Sequence, residues 1–259
     1  MSKTRDYIQR KAVERVPGPV LDAVGKAVLK GVDKAVEERW ETAKVRAAGA
    51  NGLTIDDRVR SVSKSFSREL TTVGLATGAA AVAPVVGTAG AVSVLVADLG
   101  WFAFRATDLI MTIGAIHGHE EALPEERRAW VLAVLAFGEE AADEFAKLAA
   151  EIGDSVDSGG ERVGALVASV AGGDAATVDA MRRINTSLAS KVVTKYGSRR
   201  GMLSIGKLLP FGIGAVVGGS ANWALSRAIS KQSRRFFDDY HLHVLPPPPE
   251  LPPVATVDT

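Results

Sequence analysis

The chain has 259 residues, 47% of them hydrophobic but only 6% aromatic, so small aliphatic residues and glycine make up most of its apolar mass. It has no cysteine, which excludes disulfides, thiolate catalysis and cysteine-ligated zinc. The formal net charge of +1 hides a segregation: residues 1–70 carry 15 basic and 10 acidic side chains, 98–180 carry 5 and 16, 181–259 carry 11 and 4, and 71–97 carry none. Basic ends around an acidic middle either complement one another within the fold or present basic faces to anionic lipid.

Helical periodicity runs through the chain, and no period-two strand pattern stands out. The N-terminus MSKTRDYIQRKAVERV is too charged to read as a signal peptide. A short helix is predicted over about residues 4–16, ending at Pro17-Gly18-Pro19, and a second runs on to Ala48 before the Asn51-Gly52 turn. Thr54, with Asp57 three residues later, forms a capping box for a helix from Ile55 to about Pro84. The next runs from near Gly87 to Gly118. Pro124-Glu125-Glu126 then reads as a first helical turn, with proline where its missing N–H costs nothing and acids at the positive dipole end. That helix is expected to reach about Ile152.

Asp154 to Gly160 reads as a connector, and Ser158 caps a short helix ending at Gly172-Gly173. Asp174 caps the next, whose last turn carries Lys191 and Lys195 before Gly197, where the negative dipole end favours cations. A long helix is predicted from about Gly212 to Tyr240. The run Pro246-Pro247-Pro248-Pro249-Glu-Leu-Pro252-Pro253 follows, a disordered polyproline-type tail with nothing to bury. The expected fold is all-α: a single bundle-like domain with glycine-rich, closely packed helices, preceded by an N-terminal helical extension.

The stretch from Gly201 to Trp223 imitates two nucleotide sites and is neither. A phosphate loop needs a preceding strand, a following helix and a Ser or Thr after its lysine. Here Leu208 follows Lys207, Pro210 blocks a helix start, and no strand precedes. The Gly212-x-Gly214-x₃-Gly218 spacing lacks the parallel sheet that a dinucleotide turn requires. Gly214, Gly218 and Asn222 instead fall on one helical face, which admits a second backbone at close range. Residues 71–97 share this small-residue character, with Gly74 and Gly78, Pro84, then Gly87 and Gly90. Both uncharged runs approach the length of a membrane span, but Ala, Gly, Thr and Ser contribute little insertion energy and each run contains a proline. Buried core, peripheral insertion and spanning all remain open readings.

The C-terminal run from Lys207 to Trp223, with Pro210, Gly214, Ala215, Gly218 and Asn222 in place and a basic helix ending Arg-Arg-Phe-Phe behind it, resembles the signature of the EcsC family. The segment Ala97-Asp98-Leu99 through Arg105, and Ile113 to Gly118, resembles that family's other marked helix, with His117 where an aromatic residue is usual. The resemblance covers about residues 60–240, and places an EcsC-like domain over 55–245, after an extension over 1–54 and before the tail, 246–259. It implies an all-helical protein of bacterial type and, through the family's genetic link to an ABC transporter, an accessory role at the cytoplasmic membrane face.

Other constellations are weaker. Asp98, Arg105 and Thr112 recur every seven residues, with Asp108 three beyond Arg105, so they form a polar stripe on an apolar helix. That stripe either faces water or a partner, the leading expectation, or forms a buried polar network; as a cleft, Asp98, Arg105 and Asp108 are the candidate ligand-binding or hydrolytic groups. His117-Gly-His119 and His241-Leu-His243 match no recognised metal-ligand spacing and are expected to pack. Glu139-Glu140 and Asp143-Glu144 read as a solvated face, or one turned to the basic C-terminal helix. Arg227, Lys231, Arg234 and Arg235 are the candidate lipid-facing residues. No cofactor, metal, nucleotide or nucleic acid is expected. The leading expectation is a non-enzymatic protein at the inner membrane surface, partnered by lipid or an integral protein; the alternative is a soluble domain with the polar cleft above.

Overall fold

A computed structural model of the chain describes residues 18–80, 88–153, 175–198 and 226–240. The helix expected over 4–16, the 154–174 connector region with Ser158 and Asp174, the motif residues Pro210, Gly214, Gly218 and Asn222, His241 and His243, and the proline-rich tail lie outside the described residues.

The fold is all-α, without a strand among the described residues. Helix α1 (Gly18–Glu38) is followed by α2 (Trp40–Ala48), α3 (Ile55–Ala80), α4 (Thr88–Ile116) and α5 (Pro124–Phe137). A 3₁₀ turn (Gly138–Glu140), α6 (Ala141–Gly153), α7 (Ala175–Tyr196) and α8 (residues 226–240) follow among the described residues.

Helix α1 buries Leu21, Val24, Val28, Val32, Ala35 and Val36, a stripe at three- and four-residue spacing, and keeps Asp22, Lys26, Lys30 and Lys34 outside. The stripe lies along α4, which also meets α2, α3 and α5 and so forms the centre of the molecule. Two glycines set the distance between α1 and α4. A Cβ on Gly31 would sit 2.2 Å from the Gly100 carbonyl oxygen, and one on Gly100 would sit 3.2 Å from the Ala27 oxygen. The close α1–α4 contact is thus made by Gly31 and Gly100, which lie outside the two glycine-rich runs, 71–97 and 208–226, where such contacts were expected. The residues of 1–54 that are described do not form a separate layer, since Val28 and Trp40 share one hydrophobic cluster with Ile110, Trp130 and Phe237.

Local signals behave as their chemistry demands at three places. The Asp57 backbone N–H donates to Thr54 Oγ1 at 3.1 Å, and the Thr54 hydroxyl donates to the Asp57 carboxylate at 2.8 Å, opening α3. Pro124 occupies the first turn of α5, with Glu125 and Glu126 beside it. Lys195 sits in the last turn of α7, but its ammonium donates to the carbonyls of Leu135 and Ala136 at 2.8 and 2.9 Å, so the helix end it caps belongs to α5.

Two expected helices are divided. The one drawn to Ala48 bends at Arg39 (φ −107°, ψ −3°), where helical hydrogen bonds persist on both sides without glycine or proline. The one drawn from Pro124 to Ile152 breaks at Gly138, whose φ of 66° is a left-handed conformation that glycine adopts at no steric cost. Gln232 of α8 lies 3.2 Å from where a Cβ would be at that position.

Candidate functional site

Beyond Asp98, the polar stripe of α4 is withdrawn from water. Asp108 is 0% exposed, Thr112 is equally buried, and Arg105 keeps 12% of its side-chain surface. The Asp108 Oδ2 atom accepts from Arg105 Nη1 at 2.9 Å, Arg39 Nη2 at 3.1 Å and Arg46 Nη1 at 3.3 Å. Arg46 and Arg105 also reach the Glu69 carboxylate, and both guanidiniums lie over the Phe66 ring, at 4.6 and 4.9 Å. Three guanidiniums and two carboxylates therefore tie the α1–α2 bend, α2, α3 and α4 together. Water withdrawn from Asp108 is replaced at Oδ2 by three cationic donors, which offset the buried charge, while Oδ1 is buried without a donor.

Asp98, placed in the same candidate cleft by its seven-residue spacing, stays outside this cluster on the exposed side of α4. Its carboxyl is raised above the usual range by partial burial. Asn222, grouped with these residues on sequence grounds, lies outside the described residues. Arg39, Arg46 and Glu69 were not singled out by the sequence. The seven-residue spacing of Arg39 and Arg46 was a usable signal, but it became meaningful only once Asp108 was known to be buried.

The basic residues of α8 have carboxylate partners. Lys231 donates to Glu139 at 2.8 Å, and Arg234 pairs with Asp56 at 2.8 Å and Asp238 at 3.3 Å. Arg235 lies 4.0 Å from Glu139 and 3.9 Å from Asp239. Arg227 is exposed on the same helix. The acidic band around Glu139 thus meets the basic helix, and the Lys231 ammonium holds the Glu139 carboxyl below its usual range.

The opposite face of α8 is aromatic. Phe236, Phe237 and Tyr240 pack with Phe145 and Trp130, and His117 stacks on Phe237 at 5.5 Å. His117 Nδ1 lies 2.8 Å from the Ile113 carbonyl, while His119 sits among Trp130, Phe237 and Tyr240. The pair is thus split between two packing roles. No group of three metal-ligating side chains occurs among the described residues. In the same core the Tyr240 hydroxyl donates to Glu126 Oε1 at 3.1 Å; burial raises the Glu126 carboxyl and, more strongly, the Tyr240 phenol.

Surface clefts also occur among the described residues. A groove of about 370 Å³ follows the α1–α4 seam, floored by Gly31, Gly100 and Phe104 and flanked by Lys30, Lys34 and Trp101, the last 40% exposed. A second cleft, of about 580 Å³, lies between α1, the start of α5 and α7.

The family model of the EcsC protein family matches residues 1–239, and the chain belongs to that family. No curated protein and no solved structure matches it.

Proposed function

From this membership of the EcsC family, we propose that the chain is a non-enzymatic helical protein. In this reading it rests peripherally on the cytoplasmic face of the membrane and assists a membrane process such as ABC transport. The carrying observation is the α1–α4 groove. Its apolar floor is bordered by a half-exposed tryptophan and two lysines one helical turn apart, and it adjoins in sequence the uncharged residues 71–97. Tryptophan favours the headgroup level of a bilayer, and lysine lays its stem along apolar surface while its ammonium reaches anionic lipid.

This reading moves the lipid contact away from α8. Lys231, Arg234 and Arg235 face carboxylates of the fold, whereas Lys30 has no ion pair among the described residues and Lys34 has only a loose one, 4.0 Å from Glu38. Residues such as Ala, Gly and Thr give a shallow apolar contribution, so attachment is reversible and depends on the flanking charges.

Sedimentation of the full chain with phosphatidylglycerol or phosphatidylcholine vesicles tests the proposal. Each lysine near an anionic surface contributes about 1 kcal/mol, so Lys30→Gln with Lys34→Gln should weaken binding to the anionic vesicles about 30-fold. Trp101 emission should shift to shorter wavelength on binding. Wild-type protein that stays in the supernatant with anionic vesicles at low salt refutes direct lipid association.

A further inference from the structure

The cleft between α1, the start of α5 and α7 is lined by two buried polar side chains whose hydrogen-bonding capacity is only partly spent. Arg127 is 7% exposed, and its guanidinium lies on the Trp40 ring with 4.5 Å to the centroid. Its Nε and Nη1 atoms are buried without an acceptor. Asn185 is 4% exposed; its Nδ2 donates to the Glu125 carbonyl at 2.9 Å, which fixes the amide and leaves Oδ1 buried without a donor. Both side chains line the same cleft. An unpaired buried polar group costs about 1–3 kcal/mol, so a molecule offering an acceptor to the one and a donor to the other recovers that cost.

The charges around the cleft narrow the class of that molecule. Arg128 is neutralised by Asp33 at 2.7 Å. Of the other charged residues lining it, Arg127 and Arg182 are balanced by Glu37 and Glu125. A phosphate dianion meets as much repulsion as attraction there, and so does a simple cation. A carboxylate beside an ammonium satisfies both signs. A carboxylate oxygen can accept from Arg127 Nε or Nη1, and the positive end of α5, which begins at Pro124, supports it. The ammonium suits Asn185 Oδ1 and the Glu37 carboxylate.

We propose that this cleft binds a free α-amino acid, recognised by its carboxylate through Arg127 and by its ammonium through Asn185. The site is separate from the lipid-facing groove and does not rest on the membrane reading.

L-alanine is the minimal probe, because it carries both groups and almost nothing else. Titrated into the full chain without lipid, it should shift the Trp40 indole N–H resonance saturably, since that ring carries the Arg127 guanidinium. Acetate and methylammonium, each with half of the recognition, should shift it at least about tenfold less at equal concentration, a difference of about 1.4 kcal/mol. Asn185→Ala should weaken L-alanine by a similar factor. Arg182→Gln, at an exposed position, should also weaken it while leaving the melting temperature unchanged, which separates lost binding from lost folding. The absence of a saturable shift up to about 100 mM L-alanine, well above a millimolar dissociation constant, overturns the proposal. An acetate response equal to that of L-alanine overturns it as well.

Discussion

Replacing Asp108 with alanine tests whether the arginine cluster holds the fold together. The carboxylate is fully buried and faces Arg105, Arg39 and Arg46 at 2.9, 3.1 and 3.3 Å. Removing it leaves Arg46 and Arg105 with Glu69 alone, and takes away the one carboxylate that Arg39 meets among the described residues. The arginine side chains keep 12%, 24% and 28% of their surface, so water screens part of the repulsion, but the vacated site lies beyond its reach. Breaking a buried ion pair by removing one partner costs about 3–5 kcal/mol. In a domain of this size each kcal/mol lowers the melting temperature by about 2–4 °C, so Asp108→Ala should lower it by about 6–20 °C. Urea unfolding followed by circular dichroism should show the same loss at an unchanged slope.

A control separates charge from packing. Asp108→Asn keeps the shape and one acceptor oxygen, so it should cost nearly as much if charge dominates and much less if packing does. Arg39→Gln, which removes one of the three donors at a partly exposed position, should cost far less than Asp108→Ala. A loss below about 1 kcal/mol in Asp108→Ala would falsify the clamp, because exposed ion pairs alone account for that much.

Gly31→Ala should destabilise the protein by about 1–3 kcal/mol or more, since its Cβ would collide with the Gly100 carbonyl oxygen across the α1–α4 seam; an unchanged thermal melt refutes the close contact. Glu126→Gln should change the pH dependence of stability. Burial raises the folded-state Glu126 pKa above its ordinary value of 4.5. The folded wild type therefore holds the proton more tightly, and loses stability relative to the variant as pH rises from that value through the raised one, levelling off above it. A wild-type-minus-variant difference that stays constant from about pH 4 to 8 contradicts the buried-carboxyl account.

Several features were legible in the sequence because they are decided within one turn of chain. The Thr54–Asp57 cap and Pro124 at the head of α5 are local chemistry, and the structure places both where their residue types demand. Pro84, expected to interrupt the helix before it, lies outside the described residues. The breaks at Arg39 and Gly138 were not legible. Arg39 bends the chain without a breaker residue, with its side chain bonded to Asp108 69 residues away. A lone glycine in a helical pattern is often tolerated, so Gly138 acquires its meaning from the left-handed turn and from Gln232 packed beside it. The polar stripe was ambiguous for the same reason. Periodicity showed that Arg105 and Thr112 share a face of α4, but only tertiary packing decides whether such a face meets water or other helices.

Helix α4 shows how far the apolar character of this chain bears on a membrane. Among the described residues, Val96–Ile116 is long and apolar enough to cross a bilayer, with a mean hydropathy of 1.3, yet 72% of that window is buried within the protein. Arg105 and Asp108 lie inside it. In hydrocarbon those charges would need partners that a lone helix lacks, whereas here the α1–α2 bend, α2 and α3 supply them. The central and C-terminal part of α4 is therefore a core helix whose hydropathy reflects protein neighbours. The uncharged run is different in kind: it ends at Asp98, the first charge after residue 70, beside the groove where Trp101, Lys30 and Lys34 gather. In the proposed membrane reading, lipid contact is confined to the exposed side of this stretch, at Ala97, Asp98 and Trp101, because Leu99 and Ala103 beside them already belong to the protein core.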